Sequence, residues 1–282
     1  AMWAGEGGML ILAGYLAGEN PDFHDYAAAW HWVFVVAALV FTGLTLYHRW
    51  ALPRPLSDQA GDRKALSQEM LNSFVSFFQK PDIVLILAFL LLYRLGEAQL
   101  VKLAAPFLLD GPAAGGLSLS TTEVGWINGT VGVLALVAGG ILGGVLASRQ
   151  GLKAWFWPMV LAMNVPNLGY WLLATFAPVS STWVTVAVAV EKFGYGFGFT
   201  AFLLYLLYVA QGKHQTAHYA IGTGFMALGM MLPGLVSGYI QAALGYDGFF
   251  FWVMLSTLPG MLIAFFVWRS LDPTFGQKKE KE

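Results

Sequence analysis

Eight apolar stretches alternate with polar connections along the chain, at about 1–17, 27–48, 81–109, 122–148, 152–176, 182–211, 216–243 and 248–268. A helix that crosses a bilayer needs roughly 20 such residues, with a range of about 17–25. The polar positions between the stretches are one-sided. The connections 18–26, 110–121, 177–181 and 244–247 contain no Lys or Arg. The other connections hold Arg49, Arg54, Arg63, Lys80, Arg149, Lys153 and Lys213, and the tail adds Arg269, Lys278, Lys279 and Lys281. Cytoplasmic loops of membrane proteins carry the excess of Lys and Arg. The pattern predicts an all-α, polytopic helical membrane protein of about eight transmembrane helices, with its C-terminus in the cytoplasm. Transmembrane β-barrels need short alternating segments, which this chain lacks.

The longest polar segment is 50–80. Pro53, Pro55, Gly61 and six charges within 54–69 mark it as a cytoplasmic linker. Inside it, Leu66, Met70, Phe74, Phe77 and Phe78 recur at helical spacing, as in an amphipathic helix lying on a membrane surface. Two stretches precede the linker and six follow it. Six helices after a long cytoplasmic loop suggest one half of a major facilitator fold, whose two six-helix halves are related by an axis along the membrane normal. The reading divides the chain into 1–49, the last two helices of a first half; 50–80, the linker; 81–270, the second half; and 271–282, a cytoplasmic tail. The eight helices then stand where helices 5–12 of such a fold stand. The chain also begins inside an apolar segment, which reads as the end of a helix.

Composition changes this picture little. Hydrophobic residues make up 57% of the chain and charged residues only 11%, against about 25% charged in soluble domains. A net charge of −1 gives no electrostatic footprint for nucleic acid. With no cysteine, disulfides are excluded and the redox compartment is unreadable.

Charges inside the apolar stretches matter more, because each costs about 2.5–3.5 kcal/mol at a helix centre. They persist when they face a cavity or a partner. The third stretch holds Arg94, Glu97, Gln99 and Lys102. Arg94 and Glu97 are three apart, share a helix face and can pair, so they read as a substrate or proton site or as a self-neutralised structural pair. In the sixth stretch, Glu191 and Lys192 are neighbours about 100° apart around the helix, an angle that argues against their pairing and sets one of them toward a cavity. Tyr195 follows, among Gly194, Gly196 and Gly198. No strand precedes these glycines and their spacing is wrong for a dinucleotide fingerprint, so close helix approach or bending is expected. Asn164, Asn167 and Tyr170 in the fifth stretch and Asn128 in the fourth offer amides and a hydroxyl to a ligand or to another helix. Tyr205, Tyr208, Phe197 and Phe199 read mainly as packing. His214 and His218 lack the further ligands of a metal site and read as solvated or capping groups. Glu6 is a weaker candidate for a cavity. No nucleophilic triad, phosphate loop or metal cluster is found, so neither an enzyme nor a cofactor is expected.

The connection Gly-Gly-Val-Leu-Ala-Ser-Arg-Gln-Gly-Leu-Lys at 143–153 resembles the facilitator loop Gly-x-Leu-x-Asp-Arg-x-Gly-x-Lys. Gly144, Leu146, Arg149, Gly151 and Lys153 match it, and Ser148 replaces the Asp. Its glycines suit tight helix contact and a sharp reversal, and its basic residues can bond the ends of neighbouring helices. Together with YRLGEAQ and PFLL (93–109), EVGWINGTVG (123–132), NLGYWLLA (167–174) and FGYGFGFTAFLLYLL (193–207), it makes the chain resemble the AmpG-type muropeptide permeases. These form part of the peptide–acetyl-CoA transporter branch of the major facilitator superfamily. The resemblance implies a monomeric carrier in the bacterial inner membrane that imports anhydromuramyl sugars and peptides with protons. It sets Arg94, Glu97, Asn128, Asn167, Tyr170 and Glu191 at motif positions facing the cavity, while Lys102 and Lys192 depart from the family pattern. A facilitator for another solute (a siderophore, peptide or acyl-CoA), a membrane enzyme or assembly factor, and an inactive fragment are the alternatives.

Overall fold

The computed structural model describes residues 7–18, 25–52, 63–177 and 180–278, and every regular element in them is helical. Glu6, Arg54, Lys279 and Lys281 lie outside the described residues. The elements are α1 (Met9–Ala17), α2 (Tyr26–Ala51) and α3 (Arg63–Phe78), then α4 (Ile83–Leu92) and α5 (Leu95–Leu109), which form one span. Next come α6 (Thr121–Val124) and α7 (Val133–Gln150), joined by a π-helical turn, Gly125–Gly132. A 3-10 turn, Val165–Asn167, joins α8 (Leu152–Asn164) to α9 (Leu168–Phe176). The last two are α10 (Ser181–Ala210) and α11 (Gln215–Ser270).

Among the described residues, six helical runs are long and apolar enough to cross a membrane: Ala27–Ala51, Ile83–Leu109, Thr121–Gln150, Leu152–Phe176, Ser181–Ala210 and Gln215–Ser270. The last contains two of the expected stretches. Gly245 breaks it at φ 70°, ψ 177°, a conformation that favours a residue without Cβ. A Cβ at Gly229 would stand 3.0 Å from the Leu90 carbonyl oxygen, and one at Gly260 would stand 3.2 Å from that of Tyr93. Two segments thirty residues apart therefore flank the same level of the α4–α5 span, so α11 folds back on itself at Gly245.

Hydrocarbon supplies no hydrophobic drive between helices, so close backbone approach at small residues takes its place. Gly194 and Gly198 lie against Ala162 and Met159 of α8, and Gly196 lies against Leu136 of α7. Three glycines spaced two apart thus serve two helices on opposite sides of α10. α1 docks similarly on the π-helical turn, where a Cβ on Gly125 would stand 2.9 Å from the Ile11 amide nitrogen. The buried apolar residues form two clusters. One centres on Phe89, Phe156, Phe202 and Val267 toward the basic end of the spans, the other on Phe107, Tyr170, Phe249 and Phe250 toward the acidic end.

α3 is the helix expected in the linker, and it is packed on one side. Phe77 is wholly buried and stacks on Phe225, while Met70, Leu71 and Phe74 stay exposed. Ser73 Oγ lies 3.1 Å from His214 Nδ1 and Ser76 Oγ 2.9 Å from His218 Nε2. The two histidines therefore anchor the linker helix to the start of α11 rather than standing in solvent.

Candidate functional site

Between the two apolar clusters lies a layer of buried polar side chains: Arg94, Glu97, Gln99, Asn164, Asn167, Glu191, Lys192, Ser256 and Thr257. The helices are irregular where they enter it. The α4–α5 span breaks at Tyr93–Arg94, with Arg94 at φ −106°, ψ 20°. Asn128 sits in the π-helical turn and Asn167 closes the 3-10 turn that contains Pro166. Single π turns inside α-helices mark functional sites often, and broken helices at membrane depth occur where they line a cavity or are buried in protein.

The break redirects Arg94. Its Nη2 donates to Tyr195 Oη, and its guanidinium carbon lies 4.6 Å from the Phe199 ring centroid and 5.1 Å from that of Tyr195. Arg94 and Glu97 do not form the ion pair that their spacing allows, because the i, i+3 rule assumes a continuous helix and the helix is interrupted here. The expectation that Glu191 and Lys192 would not pair is overturned. Lys192 Nζ lies 3.4 Å from Glu191 Oε2. The flexible lysine stem spans the angle between neighbouring residues, so adjacency did not prevent the pair.

A cavity of about 340 Å³ opens beside this layer, lined by Glu97, Lys192, Tyr195 and Asn128, with Leu10 of α1 and Met230 of α11 among its apolar wall. Glu97 is 2% exposed and its Oε2 has no hydrogen-bond partner. Behind the lining, Asn167 and Tyr170 are fully buried, and neither the Asn167 amide nor the Tyr170 hydroxyl is hydrogen-bonded. Buried unsatisfied groups are uncommon in folded proteins and call for an explanation such as a ligand or water. Two candidates stand apart. Gln99 accepts from Trp252 Nε1 at 2.8 Å and donates to the Leu95 carbonyl, tying α5 to α11. Asn164 donates to the Val160 carbonyl within its own helix. Of the candidate aromatic residues, Tyr195 lines the cavity, whereas Tyr205 packs on Phe89 and Tyr208. Among the described residues no group of acidic, His or Cys side chains could hold a metal.

The loop at 143–153 is a second constellation. Gly151 turns the chain at φ 86°, ψ 157°, whereas Gly144 faces open space and it is Gly143 that meets Thr200. Lys153 Nζ donates to the Leu271 carbonyl at 2.8 Å, at the end of α11. The tail then returns to the loop. The amide of Leu152 donates to the Phe275 carbonyl and that of Lys278 to the Ser148 carbonyl, both at 2.8 Å. Nothing in the loop's sequence announces the tail as its partner. Arg149 is exposed in the last turn of α7, where a cation suits the helix dipole.

No family model matches the chain. It is similar to an anhydromuropeptide permease of Escherichia coli (strain K12), 28% identical over 212 residues, which are 75% of this chain and 42% of that protein. It is also similar to the putative transporter AmpG 4 of Rickettsia conorii, 24% identical over 242 residues, covering 84% of this chain and 56% of that one. An uncharacterized protein of Haemophilus influenzae is 24% identical over 265 residues, 91% of this chain and 61% of its own length. The chain spans about half the length of the curated relatives it matches. These matches make the chain similar to AmpG-type permeases over most of its length, in agreement with the resemblance of its motifs.

Proposed function

We propose that this chain forms the carrier body of a proton-coupled importer of cell-wall muropeptides, anhydromuramyl sugars with or without peptide, in a bacterial inner membrane. The observation that carries the reading is the polar layer at mid-span opening onto a cavity between α1 and the bundle that follows the linker. Charged side chains at that depth are rare and mark substrate or ion pathways by default. Secondary transporters place their substrate and ion sites near the bilayer midplane, at the interface of their repeats. The names of the relatives supply the solute class.

In this reading 1–49 belongs to the first half of a facilitator, 50–80 is a cytoplasmic linker and 81–270 is the second half. The tail 271–282 is cytoplasmic, as the distribution of Lys and Arg favours. Glu97, Asn128, Lys192 and Tyr195 meet the solute. Arg94, Asn167, Tyr170 and Glu191 form the layer behind them, and Gln99 and Asn164 hold helices. Glu97 and Glu191 are the groups that load and release the proton. The carrier works as a monomer.

The test is uptake of labelled N-acetylglucosaminyl-anhydromuramic acid by vesicles carrying the protein expressed from its complete gene, with and without a protonophore. Uptake that collapses with the proton gradient is expected. Absence of uptake by protein present in the membrane would remove the muropeptide assignment. Unchanged pH dependence in Glu97→Gln and Glu191→Gln would remove these carboxylates from the coupling.

A further inference from the structure

The cavity's charge is arranged in a way that a site for a neutral sugar does not require. Among the described residues, Lys192 is the one cation that lines it, and Glu97 is the one anion. Arg94 is held between Tyr195 and Phe199 and Glu191 is 1% exposed, and neither is part of the cavity wall. The position of Lys192 is built in. A Cβ on Gly132, at the end of the π-helical turn, would stand 3.2 Å from Lys192 Cγ, so the missing side chain makes room for the lysine stem. The ammonium lies 6.0 Å from the Tyr195 ring centroid and 3.4 Å from Glu191.

With Arg94 and Lys192 cationic and Glu97 and Glu191 anionic, the layer is neutral among the described residues. The titratable groups around Glu97 are Arg94 from its own span, Glu191, Lys192 and Tyr195 from α10, and Tyr170 from α9. The parts of α11 packed on Gly96 beside it, Val253 and Thr257, bring no charge. A solute carboxylate entering this cavity makes three anions against two cations in a medium where an uncompensated charge costs several kcal/mol. Adding one proton restores neutrality, and Glu97, whose Oε2 is unpartnered, is the carboxylate in the wall that can take it. A neutral solute creates no such demand.

We infer that Lys192 is the carboxylate receptor of this cavity and that Glu97 gates it, so that the site takes an anionic solute together with one proton. The inference rests on the transport reading above. Glu191 pairs with the ammonium at 3.4 Å and ionised Glu97 adds a second negative charge near it; protonated Glu97 leaves that second place to the solute. On release the carboxylate departs and Glu97 returns its proton, so charge balances over the cycle. Lys192 thereby sets specificity for acids over their esters, and Glu97 sets the proton count.

The test uses purified protein from the complete gene in detergent. The probes are 1,6-anhydro-N-acetylmuramic acid and its methyl ester, with binding read by calorimetry and proton uptake by buffers of different ionisation enthalpy. The acid is expected to bind at least tenfold more tightly than the ester and to bring about one proton with it. Lys192→Met should abolish the preference and Lys192→Arg should keep most of it. Glu97→Gln should bind the acid without proton uptake. Equal binding of acid and ester by the native protein, or a preference that survives in Lys192→Met, overturns the receptor role and leaves muropeptide binding standing. Proton uptake that persists in Glu97→Gln overturns the gate. Binding of neither probe overturns this inference and the proposed solute together.

Discussion

Replacing Gly151 with Ala separates the two motif glycines, which look equivalent in the sequence. Gly151 holds φ 86°, ψ 157°, and a non-glycine residue in such a region costs about 1–3 kcal/mol. Its Cβ would also stand 2.7 Å from the Pro273 carbonyl oxygen and 3.3 Å from Gln277 Cγ. Relief requires the tail to move, which breaks the bonds from Leu152 to Phe275 and from Lys278 to Ser148, and strains that from Gln277 Nε2 to the Gln150 carbonyl. Each is worth about 0.5–1.5 kcal/mol net. The substitution should weaken the tail's attachment by about 3 kcal/mol, roughly a hundredfold rise in the detached population. Gly144→Ala is the control. Nothing lies within 4 Å of its Cβ, and Ala is better than Gly inside a helix by about 0.5–1 kcal/mol. Hydrogen exchange at the Leu152 and Lys278 amides of the purified protein reads both effects. Exchange about a hundredfold faster in Gly151→Ala and unchanged in Gly144→Ala is expected. Unchanged exchange in Gly151→Ala would refute the tail's attachment, and equal acceleration in both variants would refute the division of roles between the glycines.

Gln99→Leu removes the part-buried bond from the Trp252 indole N–H and should cost about 0.5–1.5 kcal/mol, read as a lower apparent Tm; lost uptake at unchanged Tm would instead put Gln99 in the solute path. Ser73→Ala with Ser76→Ala removes both bonds to His214 and His218, about 1 kcal/mol each. It should speed proteolysis within α3, and an unchanged cleavage rate would show that the apolar contacts of Phe77 alone hold the helix. Gly194→Ala drives a methyl into the Ala162 carbonyl, a kind of overpacking that costs about 1–3 kcal/mol or more. The yield of folded protein should fall sharply, and a normal yield would contradict the α8–α10 contact. Asp272 accepts from the Thr274 amide and hydroxyl, which holds its carboxyl below the ordinary 3.8. A depressed carboxyl stabilises the fold above its unfolded pKa and loses that contribution as pH falls through the folded one. Protection of the Thr274 amide should therefore decline only below about pH 3.8 and be lost at every pH in Asp272→Ala, which removes the acceptor.

The spans were legible because hydrocarbon leaves a chain few choices: long apolar runs, charges at their ends, polar residues inside only where something answers them. Gly245 illustrates where that legibility ends. The short connection at 244–247 was visible, yet a single non-helical residue, Gly245, is enough to reverse the chain there. The interruptions inside spans were not visible. Gly125, Gly129 and Gly132 permit a π-helical turn and Pro166 permits a 3-10 turn, but glycine and proline are common in membrane helices that stay regular. The break at Tyr93–Arg94 has no glycine or proline at all. Arg94 bonds Tyr195 and Tyr93 bonds the Gly198 carbonyl, both on α10 about a hundred residues away.

That distance explains why the candidate residues were easier to find than their partners. A charge or amide in an apolar stretch is conspicuous by itself, so Arg94, Glu97, Asn167 and Glu191 stood out one by one. Pairing is a property of two backbones and of how far a side chain reaches. Helical spacing on one continuous helix suggested Arg94 with Glu97 and argued against Glu191 with Lys192. The structure has neither arrangement, because one helix is broken and one lysine is flexible. Gln99 and Glu97 are alike as polar intrusions two residues apart. Trp252, more than 150 residues later, takes up the first, and the second is left facing a cavity. What distinguishes a site residue from a structural one in such a protein is therefore the partner it lacks, and that is decided by packing between helices.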